Sequence, residues 1–187
     1  MESLSLMLNL LAAKIDAFSE ALGKILGWLA VAVVILMTST VLLRYGFNLG
    51  SIALQESVIY LHAIVLLFGA GFTLKHNEHV RVDLFYAKFS AVKKAWVNLL
   101  GGLLLLLPVN IFIITMSWSF VMDSWTIMES SSESGGLAFL YLLKTCIPVF
   151  AVLLMLQGIS EMIKAWQTIA TAKSLSPAVS ASEKGEG

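Results

Sequence analysis

The stretch Lys75–Trp96, KHNEHVRVDLFYAKFSAVKKAW, decides how this chain is built. It carries Lys75, Arg81, Lys88, Lys93 and Lys94, five of the twelve Lys and Arg residues, and it separates two long apolar runs. Cytoplasmic loops of membrane proteins retain an excess of Lys and Arg, so a basic segment in this position orients everything around it.

The surrounding composition places the chain in a bilayer. Hydrophobic residues make up 58%, charged residues 13%, and mean hydropathy is +0.87, whereas a soluble domain carries about 25% charged residues. A helix needs about 20 mostly apolar residues to cross the hydrocarbon core. Four runs meet that length, near Ile25–Leu43, Ser57–Leu74, Ala95–Val121 and Leu137–Ile163. The expected fold is all-α, with four transmembrane helices, an N-terminal amphipathic helix and a basic amphipathic cytoplasmic loop. No room remains for a soluble catalytic domain, and no enzyme activity is expected.

Charge placement gives the orientation. The loop between spans three and four, Met122–Gly136, has no Lys or Arg but contains Asp123, Glu129 and Glu133. Lys14 and Lys24 precede span one, Arg44 alone follows it, and Lys164, Lys173 and Lys184 lie after span four. Both termini and the Lys75–Trp96 loop are therefore expected in the cytoplasm. Trp28, Trp96 and Trp166 then fall at the inner interface, Trp118 and Trp125 at the outer one, as the amphipathic indole ring prefers. The formal net charge is zero, and no nucleic-acid partner is expected.

Ahead of span one, Leu4, Leu8, Leu11, Ile15, Phe18 and Leu22 recur at helical spacing opposite Asn9, Asp16 and Glu20. This pattern predicts an amphipathic helix over residues 1–22, lying in the inner interface or against a partner. Glu2 and the lack of an early basic cluster argue against a cleavable signal. After Thr171 the chain turns rich in Ser, Ala and Gly and contains Pro177, and residues 166–187 are expected to form a disordered cytoplasmic tail after the 23–165 membrane domain. Cys146 falls within a helix, as a small packing residue.

Ionisable residues within spans mark pathways, relays or pairs, because charge is costly there. Span two holds only His62, span three only the amides Asn98 and Asn110, and span four Lys144 and Glu161 near its two ends. A self-sufficient ion-coupled carrier would place acidic groups or broken helices at the midplane. His62, His76 and His79 raise the alternative of a haem-bearing membrane anchor for a redox enzyme. A second intramembrane His is missing, so no haem, metal or other cofactor is expected.

Arg44 and Glu56 sit at the outer edge, where they pair with each other or a partner, or Arg44 snorkels to water. Lys144 either meets an acidic residue such as Glu129 or Glu133 or snorkels outward. Gly23 and Gly27 form a small-xxx-small pair, Gly69, Gly71, Gly101 and Gly102 also permit close helix approach, and Pro108 is expected to kink span three. In the basic loop, Phe85, Phe89, Val92 and Trp96 share one helical face, with Lys88, Lys93 and Lys94 placed to meet lipid phosphates.

The run HVRVDLFY resembles the signature of the small, DctQ-like membrane subunit of tripartite ATP-independent periplasmic (TRAP) transporters, in its longer variant. Four further segments extend the resemblance in order: LLRYGF, LQESVIYLHA, SWTIMESSSESGGL and LLKTCIPVFAVLLMLQG. Together they cover about residues 15–164. One position departs, with Ala138 where the long variant has proline.

The resemblance implies an accessory subunit of the bacterial inner membrane. Its expected partners are a large membrane subunit that carries the substrate, a periplasmic binding protein that docks transiently, and phospholipid. Transport of an organic acid would be driven by a sodium or proton gradient, with substrate and ion sites on the other subunits. No catalytic or substrate-binding residue is therefore expected here. The expected contacts with partner or lipid are His79, Arg81, Asp83, Lys88, Lys93 and Lys94 inside, and Arg44, Glu56, Trp125, Glu129, Glu133 and Lys144 outside.

Overall fold

The four apolar runs become four helices long enough to cross a membrane. The computed structural model describes residues 2–78, 86 and 88–183. In chain order the elements are α1 (Glu2–Gly46), α2 (Ile52–Lys75), α3 (Ala91–Gly101), a π-helical segment (Gly102–Leu106), α4 (Leu107–Thr126) and α5 (Leu140–Glu183). α3, the π segment and α4 are one continuous run, Ala91–Thr126. α2 has 24 residues, which at about 1.5 Å per residue makes it about 36 Å long. That is enough for the hydrocarbon core.

The bundle is arranged around α5, on which α1, α2, α3, the π segment and α4 all pack. Its buried face carries Ala151, Gln157 and Ser160, each fully enclosed. Lipid tails are as apolar as leucine, so packing and interhelical hydrogen bonds hold such a bundle together. Close approach is concentrated at a few glycines. The Phe72 ring occupies the space where a Gly23 side chain would stand, while Gly27 faces open space. Gly71 lies against the Leu153 carbonyl, Gly102 against Met162, and Gly158 against Leu106. Cys146 is buried in α5.

The helix ends follow local chemistry. Ser51 caps α2 by accepting from Leu54 N–H at 3.3 Å, and Ser90 caps α3 by accepting from Lys93 N–H at 3.4 Å, relieving orphan donors of the first turn. Asn48 and Asn77, just past α1 and α2, take φ values of 54° and 56°, a region Asn enters at low cost.

Several sequence expectations are revised. The expected N-terminal helix is present but joins span one: α1 runs unbroken from Glu2 to Gly46, with no Pro to interrupt it. The irregular tail expected from residue 166 is instead a continuation of α5 to Glu183. There Ile169 is 2% exposed and packs with Ala95, Ala165 and Leu99, an apolar seam that favours further helix. Among the described residues, Phe89 does not share a helical face with Val92 and Trp96, since α3 starts only after the Ser90 cap and Phe89 precedes it. Span four begins at Leu140, two residues past Ala138.

The feature at Pro108 is a widened turn. Proline has no N–H for the carbonyl four residues back and its ring crowds that position. Immediately upstream the ladder changes register, and Leu107 N–H donates to the Gly102 carbonyl. A π-bulge of this kind absorbs an interruption without ending the helix.

Candidate functional site

The charged and polar side chains collect at the two ends of the bundle, and most are spent on the chain's own contacts. At the end carrying the termini, α1 and α5 run antiparallel with polar stripes facing each other. On α5 the stripe is Gln157, Ser160, Glu161 and Lys164, at i, i+3, i+4 and i+7; on α1 it is Asp16, Ser19 and Glu20. These spacings place each set on one helical face.

Asp16 is the hub. Its carboxylate accepts from Ser160 Oγ at 2.7 Å, from Gln157 Nε2 at 3.0 Å and from Lys164 Nζ at 2.7 Å. Ser19 Oγ donates to Gln157 Oε1 at 2.6 Å, and Lys164 also reaches Glu161 at 2.7 Å. Next to this group, Lys75 at the end of α2 donates to Glu20 at 2.6 Å, with His76 Nε2 3.5 Å from the same oxygen.

The N-terminal amphipathic pattern is split between the two faces. Asp16, Ser19 and Glu20 turn toward the bundle with half-buried Leu8, Ile15 and Leu22, while Leu11 and Phe18 are exposed along with Asn9. Outward-facing apolar residues suit a hydrocarbon surround, and polar groups gain partners by turning in.

At the opposite end Glu56 organises the loop between α4 and α5. It accepts from Ser131 Oγ and from Leu137 N–H, the latter at 2.6 Å. Ser131 in turn accepts from Glu133 N–H at 3.1 Å. Lys144 pairs with Glu129, and its ammonium lies 4.1 Å from the centre of the Phe120 ring. The Lys144 ammonium beside Glu129 holds that carboxyl below its ordinary range. Trp125 donates to Thr145 Oγ1 at 2.9 Å and meets Tyr141 edge-on at 4.7 Å.

Of the outer group named from sequence, Glu56, Trp125, Glu129 and Lys144 are therefore engaged within the chain. Arg44 and Glu133 are exposed, and Arg44 forms no pair with Glu56. Of the inner group, His79, Arg81 and Asp83 lie outside the described residues, as does Phe85. Lys88 and Lys93 are exposed, and Lys94 stands 5.4 Å from the Tyr86 ring centre. Tyr86 also donates to Asn98 Oδ1 at 3.1 Å.

Sequence reading missed Ser19, Gln157 and Ser160. The signal was present in the matched polar stripes of α1 and α5 at equal depth. Asn110 was noted but not its state: it is 2% exposed, donates to the Leu106 carbonyl at 2.7 Å, and keeps Oδ1 without a partner. It borders a recess of about 430 Å³ beside Gly102 and Glu161. Among the described residues no three His, Cys, Asp or Glu side chains are grouped to hold a metal ion.

The family model for tripartite ATP-independent periplasmic transporters, DctQ component, matches residues 33–168. The chain belongs to this family. Comparison with curated proteins and with solved structures finds no match. As a DctQ component, the chain is a multi-pass membrane protein and one part of a three-part transporter. The match takes in the Glu56 hub, the Glu129–Lys144 pair and the α5 polar stripe. It begins beyond Asp16, Ser19 and Glu20, so the α1 half of the inner network lies outside the matched residues.

Proposed function

We propose that this chain is the small scaffold subunit of its transporter, fixed beside a large membrane subunit that moves an organic acid inward on a sodium or proton gradient. A soluble binding protein delivers the substrate from the periplasm. The chain sits in the bacterial inner membrane with both termini in the cytoplasm, in keeping with the basic Lys75–Trp96 segment and the loop Met122–Gly136 that lacks Lys and Arg.

The observation that carries this reading, beyond family membership, is how the half-buried carboxylates of the spanning helices are used. Asp16, Glu20, Glu56 and Glu161 each bind a Lys, Ser, Gln or backbone group of the same chain. Groups committed in this way brace a rigid body. They suit a static support better than a moving ion site.

On the same reading, exposed Arg44 and Glu133 face the side where the binding protein arrives, while Glu56, Trp125, Glu129 and Lys144 shape the surface they stand on. His79, Arg81 and Asp83 contact the large subunit or lipid, and Lys88, Lys93 and Lys94 meet lipid phosphates.

Reconstitution tests the proposal. Proteoliposomes holding both membrane subunits should take up labelled organic acid only with binding protein and an ion gradient, and this chain alone should take up none. Gradient-driven uptake by this chain alone would overturn the reading, as would full uptake by the large subunit without it.

A further inference from the structure

Between residues 51 and 75 only Ile59, His62 and Leu66 are exposed, and every other position is at least half covered. The three stand at i, i+3 and i+7 and so form one stripe on α2. α1 and α5 cover the rest of the helix. His62 lies ten residues from the start of α2 and thirteen from its end, at a depth of about 15 Å and 20 Å respectively. Counted from Glu56, which stands at the outer edge with the loop it binds, His62 is six residues or about 9 Å inside the hydrocarbon.

An imidazole there has one ring nitrogen that donates and one that accepts. Among the described residues His62 makes no hydrogen bond or ion pair, and hydrocarbon offers it none. Ionisable side chains at this depth almost always face protein or a water-filled cavity. The other outward faces differ in carrying hydroxyls rather than an ionisable ring. α1 presents Val31, Val34, Ile35, Met37 and Leu42 around Thr38, and α4 exposes Ser119. The Thr115 and Ser117 hydroxyls on α4 donate to carbonyls of their own helix.

We infer that the Ile59–His62–Leu66 stripe is the face on which the large membrane subunit docks, with His62 hydrogen-bonded to a polar side chain of that subunit inside the membrane. This rests on the scaffold reading above and adds the surface through which the scaffold is held. The apolar neighbours Ile59 and Leu66 supply packing on either side of the polar contact, and the polar contact sets the register.

The test uses the two membrane subunits expressed together, with a photo-activated cross-linking amino acid at Leu66 and, as a comparison, at Val34 on the apolar face of α1. Leu66 should yield an adduct with the large subunit. His62→Leu, which adds no polar group and leaves the covered faces of α2 untouched, should weaken recovery of the large subunit about three- to tenfold, the range for one intramembrane hydrogen bond. His62→Gln should restore part of it. A complex that purifies intact while Leu66 gives no adduct with the large subunit overturns this inference and leaves the scaffold reading standing. So does an adduct only with a second copy of this chain, or a His62→Leu variant that recovers the large subunit in full. Failure of any large subunit to co-purify with the unmodified chain overturns both.

Discussion

Asp16 and Lys164, near opposite ends of the chain, meet at 2.7 Å. The pair closes the bundle at the end that carries both termini, because α1 enters there and α5 leaves there. Asp16 also holds Ser160 and Gln157, so one side chain completes several polar groups of the central helix. Replacing it leaves Ser160 with only the Ala12 carbonyl at 3.3 Å, and Gln157 and Lys164 with only Glu161. Asp16→Ala should destabilise the subunit by about 1–3 kcal/mol, the range for losing hydrogen bonds to a charged group. Asp16→Asn, which keeps an acceptor for Ser160, should lose less. Lys14→Ala, at a neighbouring exposed position, should stay within about 0.5 kcal/mol. Denaturant titration in detergent ranks the three, and an Asp16→Ala no worse than Lys14→Ala would show that the network is incidental.

Glu56 gives the opposite end its order. The Leu137 N–H and the Ser131 hydroxyl both depend on its carboxylate, and Ser131 N–H returns to the Leu137 carbonyl at 2.9 Å. Glu56→Ala should therefore release residues 131–137 as a unit while α2 stays helical. Hydrogen exchange of those amides should quicken about tenfold, the equivalent of one net hydrogen bond. Unchanged exchange at Leu137 would mean that the loop is held by something else.

Glycine chemistry separates the two members of the Gly23/Gly27 pair. A methyl at Gly23 would overlap the Phe72 ring, which itself meets His76 at a tilt with ring centres 4.3 Å apart. Gly23→Ala should cost about 1–3 kcal/mol through overpacking. Nothing stands near Gly27, so Gly27→Ala should be neutral or gain up to about 1 kcal/mol from helix propensity. Paired thermal melts in the same detergent decide this, and equal shifts would contradict the packing described for Phe72.

How much of this was legible beforehand follows from what each pattern encodes. Run length and the absence of mid-span charge located the four crossings, since both reflect the solvent the helix lives in. Periodicity showed that Asp16 and Glu20 share a face but not which way that face turns. In water it would point out; against α5 it points in, because Gln157, Ser160 and Lys164 wait at the same depth. The break before α3 was written in Ser90, whose side chain caps better than it continues a helix. The helical run past Trp166 was hidden because a residue that supports it, Ile169, docks on Ala95 in a distant segment. Lys144 had two acidic candidates in one loop. Only the course of that loop selects Glu129, since Glu133 is turned to solvent. His62 was visible as the lone ionisable residue of span two, yet its exposure is a tertiary fact.

The Glu129–Lys144 pair predicts a pH dependence with a definite sign. Lys144 keeps the Glu129 carboxyl below its ordinary value in the folded chain, while in the unfolded chain it titrates near about 4.3. The pair's contribution is therefore fully present above that pH and disappears as pH falls through the lower, folded value. Glu129→Gln lacks it at every pH. Thermal melts of the two proteins should differ by a constant amount from pH 7 down to about 5, and the gap should close between there and the acid limit. Other carboxylates titrate in both proteins and cancel in the difference. A gap that widened on acidification would require Glu129 to be held above its ordinary value, and the ion pair with Lys144 would then be wrong.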